Sequence, residues 1–124
     1  MKIKTKIKTN ELNGAALDWA VAEAEGDVRL QYDSREGLII NNVLGWFPYR
    51  PSAAWQQGGP IIEREGISVW LFDDVTWKAE KPLLGVDCVY EAPTPLIAAM
   101  RCYVASELGD EVDVPDELLH GESK

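Results

Sequence analysis

Between positions 46 and 64 the chain gathers residue types that could recognise a small nucleotide-like molecule. Trp46, Tyr49 and Trp55 offer flat aromatic faces, Arg50 and Arg64 offer guanidinium groups, and Ser52, Gln56 and Gln57 offer neutral hydrogen-bonding groups. A nucleobase needs a stacking surface and amide-like partners for its edges, and a phosphate needs guanidinium or backbone N–H donors. The competing reading makes Trp46, Phe47 and Trp55 core anchors beneath a long loop, with the glutamines turned to solvent. The two readings differ in geometry, because the first requires these groups to converge on one concave surface.

Elsewhere the chemistry is sparse. Histidine is the commonest general acid or base, and the single one, His120, lies in an acidic C-terminal stretch beyond the last firm element. Ser52 and Ser68 have no base close in sequence. Gly58-Gly59-Pro60 lacks the Lys-Ser/Thr pair of a phosphate-binding loop, and its proline removes a donor N–H. Asp73 and Asp74 with Asp87 would suit a hard cation if folded together, but adjacent carboxylates at a strand end are more often a solvated turn. Cys88 and Cys102 sit in apolar surroundings with no nearby His to complete a metal site, which favours buried, reduced thiols. The expectation is a binder with no catalytic residue, metal or cofactor.

A length of 124 residues with 46% hydrophobic and 27% charged residues suits one soluble globular domain. No apolar run approaches the ~20 residues that cross a bilayer, and no apolar signal core follows Met1, so no membrane partner is expected and the chain should stay in the cytoplasm. The formal charge of -9 argues against direct DNA or RNA binding, which needs clustered Lys and Arg. Six acidic residues against one Lys fall between Asp110 and Lys124. The expected organisation is therefore one domain over residues 1–109 and an acidic tail over 110–124, ordered only near Val112 and Val114.

These groups must be positioned by the surrounding elements. Lys2 to Lys8 alternate as a half-buried strand or a frayed extension. Glu11 to Glu25 has helical spacing, with Leu12, Ala16, Leu17, Trp19, Ala20, Val21 and Ala24 on one face, Asp18, Glu23 and Glu25 on the other, Thr9 or Asn10 as cap and Gly26 as stop. Val28 to Leu44 reads as a hairpin turning at Ser34-Arg35-Glu36-Gly37, and Gly45 ends it. Trp46 to Pro60 reads as a structured loop, Ile61-Ile62 as a strand, Glu63 to Gly66 as a turn and Ile67 to Phe72 as a strand. Asp73-Asp74 and Lys78 to Pro82 read as loops, and Leu83 to Tyr90 as a short strand. Thr94-Pro95 opens a second helix that Gly109 closes. The class is α+β: a mostly antiparallel sheet with an N-terminal and a C-terminal helix packed on it.

The strings Lys8-Thr-Asn-Glu-Leu-Asn-Gly-Ala-Ala-Leu-Asp-Trp-Ala-Val-Ala22, Pro51-Ser52 to Trp55-Gln-Gln-Gly-Gly-Pro-Ile-Ile-Glu-Arg-Glu65, and Pro93-Thr-Pro-Leu-Ile-Ala-Ala-Met-Arg-Cys-Tyr-Val-Ala-Ser106 resemble the NinX family of small lambdoid phage and prophage proteins. The resemblance spans nearly the whole chain. It departs at the doubled Lys-Ile-Lys-Thr start, at Ala54 and across Gly66 to Ala92. It implies a phage accessory protein acting inside a bacterial host. A second, weaker likeness is one of layout: an early helix, a hairpin and a Pro-Ser-x-x-Trp loop are similar to the anti-Thoeris sponge proteins, which sequester nucleotide-derived immune signals. Fold likeness alone does not carry function. Three expectations follow: a homo-oligomer that holds a nucleotide-like signal between its subunits; an acidic inhibitor or modulator of a host or phage protein; and, less favoured, an enzyme degrading such a signal.

Overall fold

Thr94 and Pro95 start the helix around which the rest of the chain folds. The Thr94 hydroxyl accepts the Ile97 N–H at 3.2 Å, and Pro95 fills the first helical position, where a missing N–H costs nothing. The helix that follows, α3 (Pro95–Leu108), buries Leu96, Ala98, Ala99, Met100, Cys102, Tyr103 and Val104. A helix apolar nearly all round must be covered on several sides, and this one is.

In the computed structural model, which describes residues 3–26, 29–33, 35, 37–42, 45–82 and 89–120, three antiparallel sheets and three further helices accompany α3. Strand β1 (Lys4–Lys8) pairs with β8 (Glu111–Pro115). Strands β2 (Leu30–Asp33), β3 (Gly37–Asn42) and β4 (Gly45–Pro48) form one meander, and β5 (Ser68–Leu71), β6 (Trp77–Glu80) and β7 (Val89–Ala92) form another. Helix α1 (Gly14–Glu25) packs on α3 from one side, α2 (Trp55–Glu65) also reaches it, and the β5–β7 sheet covers a further face. A short α4 (Asp116–His120) packs on α1 and β8. The α+β class holds, with the strands divided among three small sheets.

The core is continuous. Leu12, Leu17, Val21, Ile61, Met100, Val104, Val114 and Leu118 belong to one buried cluster. Arg101 lies within it and serves as a brace: its Nε donates to the Leu12 carbonyl and its Nη1 to the Glu91 carbonyl, both at 2.7 Å. Burial pulls its pKa down from the usual arginine value.

Four segments differ from the pattern reading. Residues 46–65 were expected as a loop, a strand and a turn; instead Gly45–Pro48 adds a third strand to the hairpin, and Trp55–Glu65 is a helix despite Gly58, Gly59 and Pro60. Tertiary contact overrides propensity here. Gly58 packs so closely that an added Cβ would lie 2.4 Å from the Pro51 carbonyl oxygen and 2.7 Å from Leu96 Cδ2. Gly58, Ile61, Ile62 and Glu65 fall at helical spacing, and Ile61 is buried. Pro60 leaves the Gln56 carbonyl without its helical donor, at an exposed position where water can satisfy it.

Lys78 to Pro82, expected as loop, supplies most of β6, whose Ala79 is buried against α3. The stretch read as an acidic tail carries β8 and α4, with Val112, Val114 and Leu118 buried. Helix α1 begins after Asn13, with Thr9–Glu11 in a short 3-10 turn before it, and stops at left-handed Gly26. Lys2, Val28, Ser34, Glu36, Leu44, Asp87, Cys88 and the start of the strand expected from Leu83 lie outside the described residues.

Two outcomes are expected in denaturant unfolding. Gly58→Ala should cost about 2 kcal/mol or more from overpacking, while Gly59→Ala, whose Cβ would meet only Trp55 at 3.9 Å, should be neutral or stabilising by up to about 1 kcal/mol from helix propensity. A chain ending at Gly109 loses the buried side chains of Val112, Val114, Pro115 and Leu118 and the partner of β1, and should show no cooperative transition at the full-length midpoint.

Candidate functional site

The turn from Tyr49 to Ala54 is held on every side by hydrogen bonds. The Ser52 N–H donates to Asp18 Oδ1 at 2.8 Å, with both residues buried. The Arg50 N–H donates to Gln57 Oε1 at 2.6 Å, and Gln57 Nε2 donates back to the Pro48 carbonyl at 2.8 Å. Tyr49 N–H reaches the Leu38 carbonyl at 2.9 Å, tying the turn to β3. The Arg50 carbonyl then accepts from the N–H groups of Ala53 and Ala54 at 2.9 and 2.7 Å. A polar group buried without a partner costs about 1–3 kcal/mol, so these bonds hold the turn in one conformation.

Two shallow clefts flank this turn. The first, about 230 Å³, is lined by Gly14, Ala15 and Asp18 of α1, Gly37 and Leu38 of β3, and Tyr49, Arg50, Ser52 and Ala53. The second, about 280 Å³, lies between Ser52, Ala53 and Trp55 and the start of α3, from Thr94 to Ile97. Of the eight residues singled out in the sequence, Tyr49, Arg50 and Ser52 share the first cleft, and Ser52 and Trp55 share the second. Trp46 stands exposed on β4, and Gln56 is exposed on α2. Gln57 uses both ends of its amide on the backbone of the turn.

Arg64 is elsewhere. Nine residues of α-helix rise about 13 Å and make about two and a half turns, so Arg64 leaves α2 from the side opposite Trp55. Its guanidinium forms a fork on Glu25, at 3.2 and 2.5 Å, and its Nε meets Glu65 at 2.8 Å. The Tyr103 hydroxyl donates to Glu25 and Lys81 Nζ lies 2.6 Å from Glu65, so the cluster ties α1, α2, α3 and the end of β6 together. Bonds to Glu25 and then Glu65 raise the Arg64 pKa further. Burial, and next its bond to Glu25, push the Tyr103 hydroxyl above the ordinary tyrosine range. Lys81 first and Arg64 second hold the Glu65 carboxyl below the ordinary range. Arg50 differs, since its guanidinium makes no ion pair with any described residue.

Asp18, Gly14 and Ala15 were not anticipated at the site. Asp18 was assigned to the solvent face of α1, yet it is only 5% exposed. The available signal was its spacing, since Val21 and Ala22, three and four residues on, are buried on the same side. Among the described residues no three His, Cys, Asp or Glu side chains converge as metal ligands, and no helix is long and apolar enough to cross a membrane.

A family model described as Bacteriophage P22, NinX matches residues 8–107, a span that contains α1, β3 and α2 around the turn and all of α3 but its last residue. No curated protein matches the chain.

The Glu65 pair gives the protein a pH-dependent margin of defined sign. Its carboxyl is held below its unfolded value of about 4.3, so its contribution is complete above that pH and is lost as pH falls through the lower folded value. Glu65→Gln should therefore flatten the decline of stability below about pH 4.3 in urea unfolding at stepped pH. An unchanged acid limb would contradict this assignment.

Proposed function

The chain belongs to the phage NinX family, and from that premise we propose that it is a non-enzymatic accessory protein that binds a small nucleotide-like molecule and sequesters it in the cytoplasm of the bacterial host, blunting a defence that signals through such molecules. The observation that carries this reading is the first cleft, which is lined by an arginine without an ion pair among the described residues, an aromatic residue and the start of a helix. A phosphate placed there would meet the Arg50 guanidinium and the positive end of α1. The Tyr49 ring lines the same cleft and would lie beside a base or sugar. No cofactor is part of this reading.

Volume limits what the cleft can hold alone. Drug-sized ligands occupy pockets of about 300–1,000 Å³, so a cleft of about 230 Å³ takes a phosphorylated sugar or a single ring and leaves the remainder exposed. Tight retention would need that remainder covered, which favours a homo-oligomer. Within this reading Arg50 carries the phosphate contact, whereas Arg64 braces the helices.

The rival reading, an acidic protein-binding inhibitor, draws on the charge of -9. Weighing against it, Asp113 of β8 lies 3.4 Å from Lys6 of β1 and Asp116 accepts the Thr5 hydroxyl at 2.6 Å, so part of the acidic segment is already partnered within the chain.

A thermal-shift panel of linear and cyclic nucleotides tests the proposal, with native mass spectrometry of protein purified from bacteria to reveal a retained ligand. A ligand present at about 100 times its Kd should stabilise by about 2.7 kcal/mol, a shift of several degrees. Arg50→Ala should weaken binding by about 10- to 100-fold, as loss of a charge-assisted hydrogen bond implies. Arg64→Ala should lower the baseline melting temperature and leave the shift in place. No shift across the panel, or a shift insensitive to Arg50→Ala, would refute the proposal, and nucleotide turnover would replace it with an enzyme.

A further inference from the structure

Each sheet of this protein ends in open strand edges, and an open edge is a template for pairing unless something blunts it. In the β1–β8 pair, the Thr9 N–H bonds the Asp110 carbonyl. Alternation along an antiparallel ladder then turns the backbone groups of Lys4, Lys6 and Lys8 outward on one edge and those of Glu111, Asp113 and Pro115 outward on the other. Lysines guard the first edge; acids and a proline guard the second. On β4 the outward groups belong to Trp46 and Pro48; proline has no N–H, and Gln57 takes its carbonyl. Strand β2 follows Arg29 and ends in Asp33, and the outward Glu91 carbonyl of β7 is taken by Arg101.

Strand β5 alone among the described strands has none of these protections. The Phe72 N–H bonds the Thr76 carbonyl, so Ser68 and Trp70 turn their backbone groups to β6, and Val69 and Leu71 turn theirs outward. From Gly66 to Phe72 there is no ionisable side chain and no proline, in a chain of net charge -9. Apolar side chains crowd the same edge: Trp70 is 38% exposed, Leu71 54%, Phe72 56% and, at the turn, Val75 73%.

We propose that β5 is the seam of a homodimer, pairing antiparallel across a two-fold axis with β5 of a second copy. An axis through Trp70 sets Val69 opposite Leu71 of the partner subunit, and the reverse, so that the four outward N–H and C=O groups on each copy pair completely. Both Trp70 rings then meet on the sheet face away from α3, and two three-stranded sheets become one of six strands. A second copy is the occupant that this edge selects. The outward pattern is complementary to itself, and the seam brings together the uncharged segments of two chains that repel elsewhere. The exposed apolar surface is below the ~800 Å² per partner of a standard interface, which predicts a dissociation constant in the micromolar range.

This inference goes beyond the proposed function and is independent of it: no residue of the seam lines the Arg50 cleft, so the seam does not supply the cover that retention of a ligand there would need. Sedimentation velocity across a micromolar concentration series should show monomer passing to dimer for the full chain. Trp70→Glu sets two carboxylates against each other on the axis and should abolish the dimer at least tenfold above the wild-type midpoint, whereas Tyr32→Glu, exposed on β2, should leave it intact. Trp70→Cys places two thiols on a non-hydrogen-bonded pair, where Cα atoms lie about 4.5 Å apart, and should give an intermolecular disulfide on mild oxidation that the wild type does not form. Circular dichroism confirms folding, and the disulfide readout stands if Trp70→Glu fails to fold. A monomer at every concentration, a dimer that survives Trp70→Glu, or a Trp70→Cys variant that does not cross-link would overturn the seam. A nucleotide-induced thermal shift retained in Trp70→Glu would leave the ligand reading standing, and one absent from the wild type would remove that reading and leave the seam.

Discussion

The hydrogen bond from the Ser52 amide to the Asp18 carboxylate joins the turn before α2 to the middle of α1. A carboxylate buried on a helix is costly unless donors satisfy it, and a turn of six residues buried at Pro51 and Ser52 has backbone groups that need acceptors. Each solves the other's difficulty. With Ser52 fixed on α1, Gln57 can bind the turn from the opposite side, and Gly58 can approach the Pro51 carbonyl closely enough for α2 to lie against the start of α3.

Much of the fold was legible in the sequence. Thr94-Pro95 and the apolar stripe beyond it announced α3, because capping and proline position are local effects. Gly26 announced the end of α1 for the same reason, with φ 71° in the left-handed region that glycine alone occupies freely. The α2 segment was misread because local signals and tertiary packing disagree there. Gly58-Gly59-Pro60 disfavours a helix by propensity, and only the Pro51 and Leu96 contacts explain why a residue without Cβ is required at 58. Strand β8 was obscured by its charge: Glu111 and Asp113 face outward toward the lysines of β1, while Val112 and Val114, alternating with them, are buried.

The site was half legible. Residue types identified the turn around Tyr49, Arg50 and Ser52, but composition cannot reveal which arginine is already engaged. Arg50 and Arg64 were given the same phosphate role from the sequence, yet Arg64 is engaged by Glu65 beside it and by Glu25 of α1. Arg50, flanked by Tyr49 and Pro51, is left with its backbone engaged and its charge unpaired among the described residues. Asp18 was hidden by the assumption that a carboxylate on a helix marks its solvent face.

The account depends on the turn being rigid before any ligand arrives, because a cleft formed only on binding would lose affinity to ordering. Amide hydrogen exchange at Ser52 measures this most directly. If Asp18 holds that N–H as described, the Ser52 amide should exchange as slowly as the buried amides of α1, opening only with sub-global or global unfolding. Exchange near the unprotected rate, while α1 itself remains protected, would mean that the turn moves freely and that the clefts beside it are not preformed.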